Sequence, residues 1–98
     1  MIDEKDYDSM NRAYFLDKAE ELINGPRAHE YGDAGYNHYR IAQIWGVILG
    51  MDITPEQVCA CMIGLKLARL ANDRHMKQDD TWVDIAGYAA LGGEISQG

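Results

Sequence analysis

Asp84 lies within TWVDIAGYAAL, residues 81–91, a run that is otherwise apolar and compatible with a helix. A carboxylate on such a face is costly unless a cation, a metal or a ligand meets it. The segment GLKLARL, residues 64–70, supplies Lys66 and Arg69, which on a helix lie one turn apart. Asp80 and Asp84 are one turn apart in the same way. If both segments are helices joined by the short loop at 72–79, they run antiparallel, and residues at equal height have residue numbers with a near-constant sum. That sum is about 150 for Lys66 with Asp84 and for Arg69 with Asp80, so two cations face two carboxylates. The cluster either fixes the register of the hairpin or marks a site. Paired charges in an apolar seam add little net stability compared with hydrophobic replacements, which makes the cluster a functional-site candidate.

A second concentration of reactive side chains is GPRAHEYGDAGYNHYR, residues 25–40. It holds Arg27, His29, Glu30, Asp33, Asn37, His38 and Arg40, with Tyr31, Tyr36 and Tyr39 interleaved. Cations suit phosphates, carboxylates suit a hard ion such as magnesium, and tyrosine rings stack on bases. Each residue also has a plainer role: Asp33 as a helix cap, His38 as a surface helix residue, the tyrosines as core or interface. His75, alone in its loop, reads as solvent-exposed. No phosphate-cradling glycine loop, no HExxH and no serine or cysteine placed for nucleophilic attack occurs in the chain.

Four helices position these groups. Ser9 is placed to cap the first, which carries Tyr14, Phe15, Ala19, Leu22 and Ile23 and ends at NGP, 24–26. The second starts near Asp33 and runs to Leu49, with Gly50 as terminator; the spacing of Asn37, Ile41, Ile44, Trp45 and Ile48 predicts the inward face. The third opens with TPEQ, 54–57, where Thr54 caps, Pro55 takes the first helical position and Gln57 closes a capping box. From Val58 to Leu70 it is apolar on nearly every side, which predicts a helix surrounded by others. The fourth is capped by Asp79 or Asp80 and runs to about Ile95; its small residues Ala86, Gly87, Ala89, Ala90, Gly92 and Gly93 permit close helix contact within the bundle or between subunits. No segment alternates with period two. The expected fold is all-α, one compact four-helix bundle over residues 1–98, oligomeric, with residues 1–8 a flexible N-terminus.

Sixteen Asp plus Glu against nine Lys plus Arg give a formal charge of −7 in 98 residues, which argues against direct nucleic-acid binding, because phosphate backbones call for a basic stripe. The acidic N-terminus has no signal-peptide core, and Lys66 and Arg69 interrupt the longest apolar run, so no membrane span is expected and the expected location is the cytoplasm. Cys59 and Cys61 project about 200° apart on a helix. They are expected to be reduced thiols rather than a disulfide or a zinc site.

HEYGD (29–33), RIAQIW (40–45), ITPEQV (53–58), GLKLARL (64–70) and WVDIAGYAAL (82–91) together resemble a family of small phage- and prophage-encoded proteins of unknown function. The resemblance covers about residues 24–95. More distantly, the pattern is similar to the all-α nucleoside triphosphate pyrophosphatases of the MazG type, which hold magnesium on acidic residues of two antiparallel helices and cleave between the α and β phosphates. That resemblance implies Asp80 and Asp84 as metal ligands corresponding to the second acidic motif. The first acidic pair is absent, since the third helix reads VCACMIGLKLAR with Lys66 and Arg69 in place of glutamates.

The expected function is binding of a nucleotide or another phosphate-bearing small molecule, with Arg27, His29, Tyr31, Tyr36, Asn37, Arg40, Lys66 and Arg69 as ligand contacts. Hydrolysis would use a magnesium-activated water with Glu30, Asp33 or Asp84 as ligand or base. The phage resemblance implies sequestration of a nucleotide signal used in host defence, in the host cytoplasm. The rival expectation is an acidic inhibitor that mimics DNA on a host protein target through surface acids such as Asp3, Glu4, Asp6 and Asp8, with no small-molecule ligand.

Overall fold

The computed structural model describes residues 10–25, 34–72 and 78–98. Among them are four helices and no strand: α1 (Arg12–Asn24), α2 (Ala34–Leu49), α3 (Pro55–Asn72) and α4 (Asp79–Ser96). Ser9 and residues 1–8, to which a cap and a flexible terminus were assigned above, lie outside the described residues, as do Asp33 and His75. Asn11, not Ser9, caps α1: its Oδ1 accepts hydrogen bonds from the amides of Ala13 at 2.9 Å and Tyr14 at 3.2 Å. These are two of the orphan donors that every helix start leaves. The helix ends at Gly25, where any Cβ would collide with the Glu21 carbonyl oxygen.

α2 stops at Leu49 as the sequence predicts. Gly50 takes φ +67°, the left-handed conformation that glycine adopts without a side-chain penalty, and its amide donates to the Gly46 carbonyl at 2.8 Å. The capping box of α3 forms in full: the Thr54 amide donates to Gln57 Oε1 at 2.8 Å, and the Gln57 amide to Thr54 Oγ1 at 3.2 Å. Thr54→Ala is therefore expected to cost about 1 kcal/mol, seen as a fall of roughly 4–8 °C in the melting midpoint with the circular dichroism spectrum unchanged. The start of α4 corrects an expectation. Gln78, not Asp79 or Asp80, occupies the cap position, and it makes no capping side-chain bond. Its amide Nε2 instead donates to the Leu70 carbonyl at 3.2 Å, tying the end of α3 to the beginning of α4. Asp79 and Asp80 fall in the first turn, where their charges complement the helix dipole.

The helices pack side by side in the order α2, α3, α4, α1, with α3 and α4 the closest pair. These two run antiparallel, as two contacts far apart along them show: Lys66 meets Asp84, and the position a Cβ would take at Gly92 lies 3.2 Å from Cys59 Cβ. α1 packs against α4 over Gly87, which is buried; a Cβ there would lie 3.4 Å from Ile23 Cγ2 and 3.8 Å from Leu22 Cδ2. Of the small residues of α4, Gly87 serves a contact with α1 and Gly92 one with α3, while Ala89, Ala90 and Gly93 are exposed. Val58 and Cys59 are the largest fully buried side chains, with Ala19, Ala42 and His38 also buried. Both cysteines are free, Cys59 buried and Cys61 exposed. Burial, reinforced by the charge of Glu56, pushes the Cys59 thiol above its ordinary pKa and keeps it protonated.

Three further expectations are revised. α2 does not turn Ile44 and Ile48 inward; they are 58% and 72% exposed, and the buried positions are His38 and Ala42. The helix is apolar on two faces, so spacing alone names two stripes, and only the position of α3 decides which is covered. His38, read above as a surface residue, lies at an edge-to-face angle to Tyr88 with ring centroids 6.1 Å apart. α3 is not surrounded on every side, for Leu65 and Leu67 are half exposed beyond the faces that α2 and α4 cover. No described helix is long and apolar enough to cross a membrane.

Candidate functional site

Tyr14, Lys18, Glu21 and Leu22 recur along α1 at four-, three- and one-residue steps, which puts them on one face. Asp80, Val83 and Asp84 form the facing stripe on α4. Between the two stripes lies an open cleft of about 540 Å³, lined by these seven residues. Gly87 brings the helices together and leaves the space toward their other end, where the α1 side chains are longer.

Lys66 approaches from α3, behind the cleft. Its Nζ donates to Asp84 Oδ2 at 3.0 Å, a charge-assisted bond of good length. The Lys66 side chain retains 14% exposure and that of Asp84 30%. The pair therefore spans two environments: the lysine lies in the α3–α4 seam, and the carboxylate reaches the cleft. On α1, Lys18 Nζ lies 3.5 Å from Glu21 Oε2 with both side chains well exposed, a surface pair worth little that exchanges readily with water or a ligand. The same ammonium stands 5.9 Å from the centroid of the Tyr14 ring. Among the described residues, no buried side-chain nitrogen or oxygen lacks a hydrogen-bond partner.

The candidates read from the sequence separate into three groups. Asp80 and Asp84 both line the cleft, and Lys66 holds Asp84 from the α3–α4 seam behind it. Arg69 does not join them: it is exposed, and among the described residues no ion pair links it to Asp80, so one of the two pairs that the spacing suggested forms. Tyr36 and Arg40 lie elsewhere, on the exposed side of α2, with the Arg40 guanidinium 5.8 Å from the Tyr36 ring centroid. Asn37 is partly buried on the same helix. Arg27, His29, Glu30, Tyr31 and Asp33 lie outside the described residues. The sequence reading missed Tyr14, Lys18 and Glu21. Their common helix face was legible, but nothing local signals that this face opposes Asp80 and Asp84, because α1 and α4 are separated by most of the chain.

Asp80 and Asp84, one turn apart on α4, both line the cleft. No group of three or more His, Cys, Asp or Glu side chains among the described residues is arranged to hold a metal. Magnesium keeps several waters and is ordinarily held by one or two carboxylates together with substrate phosphates, so this pair would hold it only with a phosphate-bearing ligand in the cleft.

Fold and cleft together define a small all-α domain in which two charged helix faces meet over an open groove. The chain belongs to the family described as a domain of unknown function (DUF6378), which matches residues 14–96. It is 52% identical over 77 residues to the Gene 55 protein of Mycobacterium phage L5 and 34% identical over 74 residues to the Gene 55 protein of Mycobacterium phage D29. Those alignments cover 78% and 76% of this chain and 48% of each relative, so the chain spans about half the length of the phage proteins it matches. No solved structure matches it.

Proposed function

We propose that the chain binds a nucleotide, or a related phosphate-bearing small molecule, in the cleft between α1 and α4. The observation that carries this reading is the Lys66–Asp84 pair, whose carboxylate opens onto the cleft instead of being sealed in the seam. A nucleotide carries three kinds of chemistry, and the cleft has a counterpart for each. Lys18 supplies a cationic donor for phosphate, and Lys66 holds Asp84 in place from behind the cleft. Asp80 and Asp84 accept hydrogen bonds from sugar hydroxyls or base amines. Tyr14 offers an aromatic face for stacking. Glu21, Asp80 and Asp84 together outnumber the two lysines, so inorganic phosphate alone meets an unfavourable field. The ligand must therefore bring hydrogen-bond donors of its own, or a divalent cation to offset the carboxylates.

Binding rather than turnover is the activity proposed. Glu30 and Asp33, the carboxylates that hydrolysis would borrow, lie outside the described residues. Binding without turnover suits a protein that sequesters a nucleotide signal. The acids on which the inhibitor reading depends, Asp3, Glu4, Asp6 and Asp8, also lie outside the described residues, and no feature of the cleft favours that reading.

The test is thermal unfolding against a nucleotide panel, with and without magnesium. At least one nucleotide is expected to raise the midpoint, by linkage to the native state, and inorganic phosphate without magnesium is not. If no nucleotide moved the transition in either condition, the proposal would fail.

A further inference from the structure

The chain is 47% hydrophobic, yet Ala19, Ala42, Val58 and Cys59 are the buried hydrophobic residues among those described. Among the described residues, twelve large hydrophobic side chains are exposed.

Much of that apolar surface is concentrated on one face. Ile44, Val47, Ile48 and Met51 follow each other at three-, one- and three-residue steps along α2 and just past its end, and they are 58%, 85%, 72% and 58% exposed. This side of α2 is distinct from the side that buries His38 and Ala42. Beside it, an open hollow of about 690 Å³ is lined in part by Ala42, Gly46, Val47, Met51 and Ile53. No Asp, Glu, Lys or Arg lies between Arg40 and Asp52, although the chain as a whole carries −7. Two copies can thus meet here without the like-charge repulsion that their other surfaces would impose. The flanking charges are of opposite sign, Arg40 toward the start of α2 and Asp52 just beyond its end.

We infer that this second apolar face of α2 is the interface with a second copy of the chain, the two α2 helices packed antiparallel about a two-fold axis near Ile44, Val47 and Ile48. A two-fold interface pairs each patch with itself, so an antiparallel arrangement sets Arg40 of either copy toward Asp52 of the other. The same symmetry buries Ile44 against Ile48, and the hollow beside Val47 receives side chains from across the axis.

Sedimentation equilibrium of the full chain over micromolar concentrations tests this. The expected mass is twice 11.0 kDa. Val47→Lys is expected to reduce it to 11.0 kDa while cooperative melting persists, because Val47 is 85% exposed and contributes little to its own fold. Arg40→Glu and Asp52→Arg are each expected to weaken the dimer, and the two together to restore it. Should Val47→Lys fail to melt cooperatively, this charge exchange carries the test by itself. A wild-type chain that remains a monomer overturns the inference, leaving the face to some other occupant. A dimer unchanged by Val47→Lys, or charge variants that do not rescue one another, overturns it equally.

Discussion

Lys66→Met is expected to abolish the nucleotide-induced rise in melting temperature while leaving an all-helical, cooperatively folding chain. The reasoning starts from the 3.0 Å bond between Lys66 Nζ and Asp84 Oδ2. Methionine keeps the stem that packs in the α3–α4 seam and removes the ammonium alone. Removing it leaves Asp84 unheld and one positive charge fewer beside an anionic ligand, which should weaken nucleotide binding roughly 10- to 100-fold. Asp84 is left without its cation, but at 30% side-chain exposure it recovers part of its hydration. The unliganded protein is therefore expected to lose only about 1–2 kcal/mol, below the several kcal/mol of a fully buried broken pair. The double variant Lys66→Met with Asp84→Leu separates the two roles. Replacing both members of such a pair by apolar groups is often neutral for stability. The double variant should thus melt near wild type and still fail to respond to nucleotide. A double variant that regained the response would show that the pair only fixes helix register, and the cleft would lose its claim to be a binding site.

The second large effect belongs to Gly87, which does no chemistry. It sits where α1 crosses α4, buried, with space for a methyl group at ordinary van der Waals distance from Ile23 and for little more. Gly87→Ala is expected to be neutral or stabilising by up to about 1 kcal/mol, since alanine lowers the entropy cost of a helix interior. Gly87→Leu inserts a branched side chain into the same space, at an overpacking cost of about 1–3 kcal/mol. That cost falls selectively on α1, because α1 packs principally against α4. Amide hydrogen exchange should show α1 losing protection while α3 and α4 retain theirs. Tyr14, Lys18 and Glu21 leave with α1, so the nucleotide response should vanish although Lys66, Asp80 and Asp84 are intact. If α1 stayed protected in Gly87→Leu, or if the response survived its loss, the cleft would not be the site.

These two residues also mark where sequence reasoning held and where it stopped. Elements governed by local chemistry were legible: the capping box at Thr54 and Gln57, the glycine stop at Gly50 and the break at Gly25 all involve atoms a few residues apart. The Lys66–Asp84 contact was also within reach, because a short connection forces neighbouring helices antiparallel and fixes which heights coincide. Arg69 shows the limit of that reasoning, since height along a helix is shared by residues on every face and does not establish that two side chains point at each other.

What the sequence determined by itself is the set of helices, the ends at Gly25, Gly50 and Thr54, and the pairing of α3 with α4, because capping, spacing and a short connection act over a few residues at a time. Tertiary structure alone decided two things: that α1 lies on α4 and supplies the other wall of the cleft, and that α2 covers its His38 and Ala42 side and leaves Ile44, Val47 and Ile48 exposed. The physical reason is common to both. A helix with several apolar or charged stripes presents equivalent choices along its own chain, and the choice is made by partners distant in sequence, through the volumes that must fit together.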